Sequence, residues 1–554
     1  MEGEKSVRGL SGRMFLKKGL GLFLSLALLT VFILPGCRGW QVTPRQHLNY
    51  DLFSEPASLD PALVSDSAGR QLVNAVFEGL VRIRPDGLYE KAMATGWIQE
   101  NGTRYVFTIR QAQWSNGEMV TARDFEYAWK RVLDPKTKSP YAFLLYEIKN
   151  AEGYNRSEDS DYRGEKKGAG EVGIRALDDR RLEVELGQPN PVFYKKLIHP
   201  VFFPVPTGLK NQDVELFRDK KVVGNGPFLI SKYEAGKKYE LIKNDKYWDR
   251  ENVSLQSMTW FTGTAGVKDR WQAFQKGQYD LTLNVPQDEI ARGLKEGYML
   301  TSPVFASFYC QLNTSKGPLK DIRTRQALSY ALNRVEMVDT VLQGGQKPAR
   351  GIVPPGMTTG QPGSDFRAEG GVLVPDNDLN EAKRLLAEAG FPEGKGFPEL
   401  EMLVEDEGSH LYLAAYLKSE WKKQLGIEVK IIPLQWEQRT LRAWARQYDL
   451  ILTGWPADYA DAAAFLEKYV FRSGNNDTGW TSREFDEQMK MAAGSEEKER
   501  LVYLHRAEDI LMAGLPVLPL YDFTRAYAVK PKVKGLCLPP AGPEADFKWV
   551  SVSA

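Results

Sequence analysis

"WSNGEMVTARDFEYAWKR", residues 114–131, contains a loop and a helix start in one stretch. Trp114 falls at a loop position close to Gly117. Thr121 precedes Asp124 by three residues, which predicts a capping-box-like start in which the acid satisfies a backbone N–H of the first turn. Phe125, Ala128, Trp129 and Val132 then fall on one helical face. Segments on either side read as half-buried strands. "TRYVFTIR" (103–110) alternates Tyr105, Phe107 and Ile109 against polar residues, and "RLEVEL" (181–186) does so with Leu182, Val184 and Leu186.

Further along, helix dominates. "DIRTRQALSYALNRVEMVDTVLQGG" (321–345) sets Ile322, Leu328, Ala331, Leu332, Val335 and Val338 on one stripe, predicting a single helix that stops at Gly344. "NDLNEAKRLLAEAGF" (377–391) predicts another through Leu379, Ala382, Leu385, Leu386 and Ala389, capped at Gly390. "IEVKIIPL" (427–434) and "YDLIL" (448–452) read as strands following helices, the βαβ rhythm of an α/β lobe. Loops are expected at 164–171 and 350–364. The order is a strand-rich first half, then a distinct α/β region from about Phe305.

A chain of 554 residues is too long for one ordinary domain. Its 73 basic and 72 acidic side chains leave a net charge of +1, without the basic surplus that phosphate contacts need, so nucleic acid is not expected as a partner. The apolar run from Gly19 to Leu34 follows Arg13, Lys17 and Lys18, the pattern of an export signal. It ends in Leu34-Pro35-Gly36-Cys37, which resembles a bacterial lipobox and predicts that residues 1–36 are a signal peptide and that Cys37 carries lipid. Pro35 departs from the usual small or β-branched residue. The other reading of this segment is an uncleaved membrane anchor. Cys310 and Cys537 belong to no C-x-x-C, and the sequence leaves their pairing open.

Catalytic signatures are absent from the sequence. The four histidines form no close-spaced pair, so no metal site is expected. Neither a nucleophile elbow nor a phosphate loop occurs. One G-x-G-x-x-G at Gly168, Gly170 and Gly173 precedes a strand rather than a helix, so it does not meet a pyrophosphate. No cofactor and no enzymatic activity are expected. Aromatic residues beside Gly or Pro, namely Trp114, Tyr141, Trp436, Trp455 and Tyr459, suggest instead the walls of a binding cleft. In "GWPADYADAAAFL" (454–466), Asp458 follows a short buried strand and stands among aromatics. It is either a turn residue or an anchor for a cationic ligand group.

The chain resembles the extracellular solute-binding proteins of oligopeptide and dipeptide ABC transporters. The likeness runs in order over 49–531: "EPASLDP" (55–61), "FEGL" (77–80), the 114–131 stretch, "SPYA" (139–142), "GNGPFLI" (224–230), "YWD" (247–249), "DIRTRQALSYALNR" (321–334), "AKRLLAEAGF" (382–391) and "GWPADY" (454–459). It implies a three-domain, two-lobe α/β clamp of the periplasmic-binding-protein type. One lobe would combine 38–77, 205–304 and 525–554, with an inserted domain at 78–204, and the other lobe would be 305–524. It implies a monomer, held outside the cytoplasm by an N-terminal lipid, that passes oligopeptides to a membrane permease and ATPase complex.

By the same resemblance Asp458 receives the peptide's α-ammonium group. The ligand lies extended against strand-like segments near Ser67 and at Gly454, Trp455 and Pro456, with side-chain pockets lined by Tyr141, Trp436 and Trp455. Two departures stand out. Pro456 lacks an N–H. Leu452 stands where better-studied relatives have an arginine for the ligand's carboxylate, and His410 is the residue near that end that can partly substitute when protonated. Other ligands for the same fold (a nickel chelate, an opine, a glycan), an exported peptidase and a peptide sensor are the alternative readings.

Overall fold

The computed structural model describes residues 46–553 apart from 208–221, 264, 358, 360–362, 407, 458, 472 and 474, and apart from the side chains of 408, 409, 436 and 437. The signal segment, Cys37 and Asp458 therefore lie outside the described residues. Residues Gln46–Ser553 form one compact unit.

The α/β class and the clamp architecture are those of the sequence reading. One long sheet runs through the protein, and two antiparallel strands, Leu300–Leu312 and Val517–Val529, form its middle. At one end Val529 pairs with Leu281, and the sheet continues through His47–Asp51, Ser257–Phe261, Lys238–Lys243 and Phe228–Glu234. At the other end Leu312 pairs with Leu450, and Leu450–Pro456 leads to Leu400–Glu405 and Val429–Leu434 in parallel, with the helices Gly408–Leu425 and Trp436–Trp444 as crossovers. The division expected at Phe305 thus falls inside an unbroken strand. The two central strands slip register between Pro303 and Ser307, where Pro303 supplies no N–H to the ladder.

A separate four-stranded antiparallel sheet joins Ala94–Glu100, Arg104–Ile109, Arg181–Glu185 and Ile174–Ala176. Tyr105, Phe107, Ile109, Leu182 and Val184 are buried, as their alternation predicts. The helix Ala122–Leu133 packs on this sheet with Phe125, Ala128, Trp129 and Val132 inward. Its start explains the 114–131 stretch. The Asp124 carboxylate accepts the Thr121 N–H at 2.8 Å, the Thr121 hydroxyl at 3.1 Å and the Trp114 indole N–H at 3.4 Å. Ser115 N–H donates to the Gly224 carbonyl at 2.9 Å, which ties this loop to the "GNGPFLI" segment. Gly224 and Gly226 are needed there: a Cβ would stand 2.0 Å from the Val76 carbonyl oxygen and 2.6 Å from the Val76 carbonyl carbon, respectively. Trp114 is a core residue, 1 % exposed, and no part of a cleft wall.

The stretch 321–345 is not one helix. Ile322–Tyr330 ends, Arg334–Met337 begins anew, and a wider turn, Val338–Leu342, follows. Asn333 Oδ1 accepts the Glu336 N–H at 3.1 Å, so a polar cap restarts the helix and turns Val335 outward to 55 % exposure. The buried Arg334 guanidinium fills the break, donating to Pro519 O at 2.6 Å, Pro375 O at 3.1 Å and Asp376 Oδ1 at 2.7 Å. Cys310 and Cys537 are both buried free thiols.

Candidate binding cleft

Where the two central strands meet Leu450–Pro456, a cavity of about 670 Å³ opens. Its walls are the face of the sheet, the helix Trp436–Trp444 and the residues around the crossing, 523–525. Gly454 makes the floor. A Cβ there would come within 3.2 Å of the Phe308 ring and 3.3 Å of Phe523. Its absence lets the rings lie against the strand, with Phe308 stacked on Tyr521 at 5.0 Å and on His410 at 4.9 Å. Trp444 lines the cavity and is 64 % exposed, a large apolar surface left uncovered.

The strand Leu450–Pro456 has two unlike edges. On one side it pairs with the central strand from Leu450 out to Pro456. On the other its pairing with Leu400–Glu405 stops at Ile451. From 452 to 456 the second edge is therefore unpaired by any strand among the described residues, and the Arg439 guanidinium reaches the Leu452 carbonyl at 3.2 Å. Arg439 also faces Glu405 at 3.4 Å, and burial lowers its pKa. An unpaired strand edge beside an aromatic cavity has the geometry that accepts an extended chain.

Of the residues expected at the site, Gly454, Trp455, Pro456 and His410 come together in this cavity. Trp455 is held by its indole N–H on the Ala464 carbonyl at 2.8 Å. Trp436 opens the helix on one wall, and its side chain lies outside the described residues, as does Asp458. Tyr141 does not line the cavity; its ring packs on His199 at 4.6 Å. The segment after it, 143–147, instead faces Trp455 across a second cavity of about 420 Å³. Ser67 is not strand-like: it is the first residue of the helix Ser67–Val76, capped by Asp66, and its hydroxyl accepts from Gln71. Tyr459 is buried and donates to Glu467 at 3.0 Å.

The sequence reading missed a second acid of the same stretch. Asp461 is 3 % exposed and receives Lys195 Nζ at 2.9 Å and Arg500 Nη2 at 2.6 Å. Burial alone would raise its pKa, but Arg500 and Lys195 outweigh that and hold it well below the usual carboxylate range. Lys468, also unforeseen, lines both cavities, and Arg439 lines the larger one. Local sequence carries little signal for these, because their partners lie far off in the chain. Among the described residues no group of His, Cys, Asp and Glu is arranged to hold a metal ion.

Two sheet regions joined by two crossing strands, with an aromatic cleft beside the crossing, define a clamp-type binding protein. The family model described as bacterial extracellular solute-binding proteins, family 5 Middle, matches residues 89–477, and the chain belongs to that family. It is 33 % identical over 506 residues to the dipeptide-binding protein DppE of Bacillus subtilis, covering 90 % of each chain. Among solved structures, the unliganded open form of the periplasmic murein tripeptide-binding protein MppA superposes with a TM-score of 0.81 at 29 % identity, over 92 % of this chain and 98 % of that one. The complex of Haemophilus influenzae OppA with the peptide RPPGFSPFR superposes with 0.67 at 26 % identity, over 92 % and 100 %.

Proposed function

We propose that this protein binds oligopeptides in the cleft beside the crossing strands, outside the cytoplasm, and delivers them to an ABC-type importer without chemically changing them. The observation that carries this reading is the unpaired edge at 452–456 in an aromatic-walled cavity. Backbone pairing there holds a chain without reading its side chains. The relatives are named for a dipeptide and a murein tripeptide, and one was solved with RPPGFSPFR, a range that sequence-tolerant backbone recognition accommodates. Asp458 takes the peptide's α-ammonium in this reading, and its neighbours Trp455 and Pro456 line the cavity. The lobes are 38–77 with 205–304 and 525–554, and 305–524, with 78–204 inserted, and they hinge where the register slips between Pro303 and Ser307.

Closure tests this directly, because a clamp makes both sets of ligand contacts only when shut. Saturation with a mixture of tri- to pentapeptides is expected to raise the melting temperature and reduce the radius of gyration in X-ray scattering. Unchanged scattering and melting with that mixture would sink the reading. A monomer anchored by lipid on Cys37 completes the proposal. Cys37→Ser is expected to move the protein from the membrane fraction to the soluble one and to abolish the lipid mass on the mature N-terminus; continued membrane retention would argue for an uncleaved anchor.

A further inference from the structure

Four lysines are buried among the described residues: Lys195, Lys196, Lys468 and Lys548. Three of them have carboxylates. Lys195 meets Asp461 at 2.9 Å, Lys196 meets Glu147, and Lys548 meets Glu90 at 2.9 Å and Asp249 at 3.0 Å. Lys468 is the exception. It sits in the turn Glu467–Tyr469, 7 % exposed, and its Nζ makes no hydrogen bond and no ion pair with a described residue.

What surrounds this ammonium is aromatic. Nζ stands 4.9 Å from the Trp455 ring centroid, 5.6 Å from Tyr309 and 6.0 Å from Tyr469. Ring faces attract a cation, but less strongly than a carboxylate does, and a buried charge without an anion is costly. Asp477 lines the same cavity and feels the charge of Lys468, yet its carboxylate is not within ion-pair distance. Arg439, on the same cavity, already holds the Leu452 carbonyl and faces Glu405. Lys468 borders both the larger cavity and the second one across Trp455, so its charge lies beside the proposed ligand edge.

We propose that Lys468 is the seat of a ligand carboxylate, so that the clamp prefers peptides carrying one near Trp455. This rests on the peptide-binding reading. The carboxylate comes either from an acidic side chain or from the ligand's C-terminus, and the two are separable by synthesis.

The test compares Ala-Glu-Ala, Ala-Gln-Ala and Ala-Gln-Ala-amide by calorimetry on the wild type and on Lys468→Met, with full chains. A charge-assisted contact to a desolvated ammonium is expected to give the wild type a preference of about tenfold or more at one step of this series. A preference for Glu over Gln assigns the side chain; a preference for free acid over amide assigns the C-terminus. Lys468→Met is expected to abolish that preference, to leave Ala-Gln-Ala-amide affinity within about threefold, and to keep or raise the unliganded melting temperature, since an uncompensated buried charge is removed. Equal affinity for all three peptides in the wild type overturns the role of Lys468 and leaves peptide binding standing. So does a preference that survives Lys468→Met, or a variant that melts several degrees lower because the aromatic rings use the ammonium as a structural prop. Binding of none of the three overturns the peptide reading and this inference together.

Discussion

Asp461→Asn is expected to lower the unfolding free energy by about 3–5 kcal/mol at neutral pH, a large share of what holds a domain together. The carboxylate is enclosed by Lys195 at 2.9 Å and by both terminal nitrogens of Arg500, at 3.0 and 2.6 Å, with all three side chains under a tenth exposed. An amide there leaves two cations buried and short of their anion, and the cost comes from them more than from the bonds lost. Asp461 Oδ1 also accepts the Ala463 N–H at 3.0 Å, a bond that the Asn Oδ1 can keep, so the expected loss comes from the two cations. The pH dependence follows from the depressed pKa of Asp461. A carboxylate more acidic in the folded state than its unfolded value of about 3.9 stabilises fully above that value and loses its contribution as pH falls toward the folded one. The gap between wild type and Asp461→Asn in urea titrations is therefore expected to be widest near pH 7 and to shrink below about pH 4. No gap at pH 7 would show that the triad contributes no net stability, and an equal gap at pH 7 and pH 3 would show that folding does not hold the Asp461 carboxylate more acidic.

Asp458→Asn is expected to act on binding instead. If Asp458 pairs with the ligand's α-ammonium, removing its charge leaves that ammonium without a partner in the closed cleft. This costs about 2–5 kcal/mol, or roughly thirty-fold to a few thousand-fold in affinity. The unliganded melting temperature is expected to stay near that of the wild type. The contrast with Asp461→Asn is expected to separate the two acids, three residues apart, into one that acts on binding and one that acts on stability. A variant that binds free-amino peptides as tightly as the wild type would return Asp458 to the role of a turn residue.

These two residues also mark what the sequence could and could not reveal. Strand alternation at 103–110 and 181–186, and the helix start at Thr121, were legible because each depends on neighbours a few residues away. The 114–131 stretch was legible as a pattern but misleading in purpose: its tryptophan bonds the helix cap and the glycine loop rather than any ligand. The helix over 321–345 was overextended, since periodicity continues through Asn333 while the cap it forms does not. The crossing strand Leu300–Leu312 was missed as a single element, because Pro303 and a mixed apolar run hide its alternation, although the change of character near Phe305 was visible. Asp461 and Lys468 escaped for a common reason. Lys195 and Arg500 approach Asp461 from distant parts of the chain, and Tyr309 approaches Lys468 likewise, so their burial is decided by tertiary packing alone.

The central claim is that the cleft holds a peptide by its backbone and its free amino end. Titration calorimetry of the wild type with a tripeptide and with its N-acetylated form tests it most directly, since acetylation removes the ammonium that Asp458 is proposed to receive. Saturable one-to-one binding of the free peptide, weakened by at least about thirty-fold on acetylation, is the expected result. Equal binding of the two forms, or no binding of either, would contradict it.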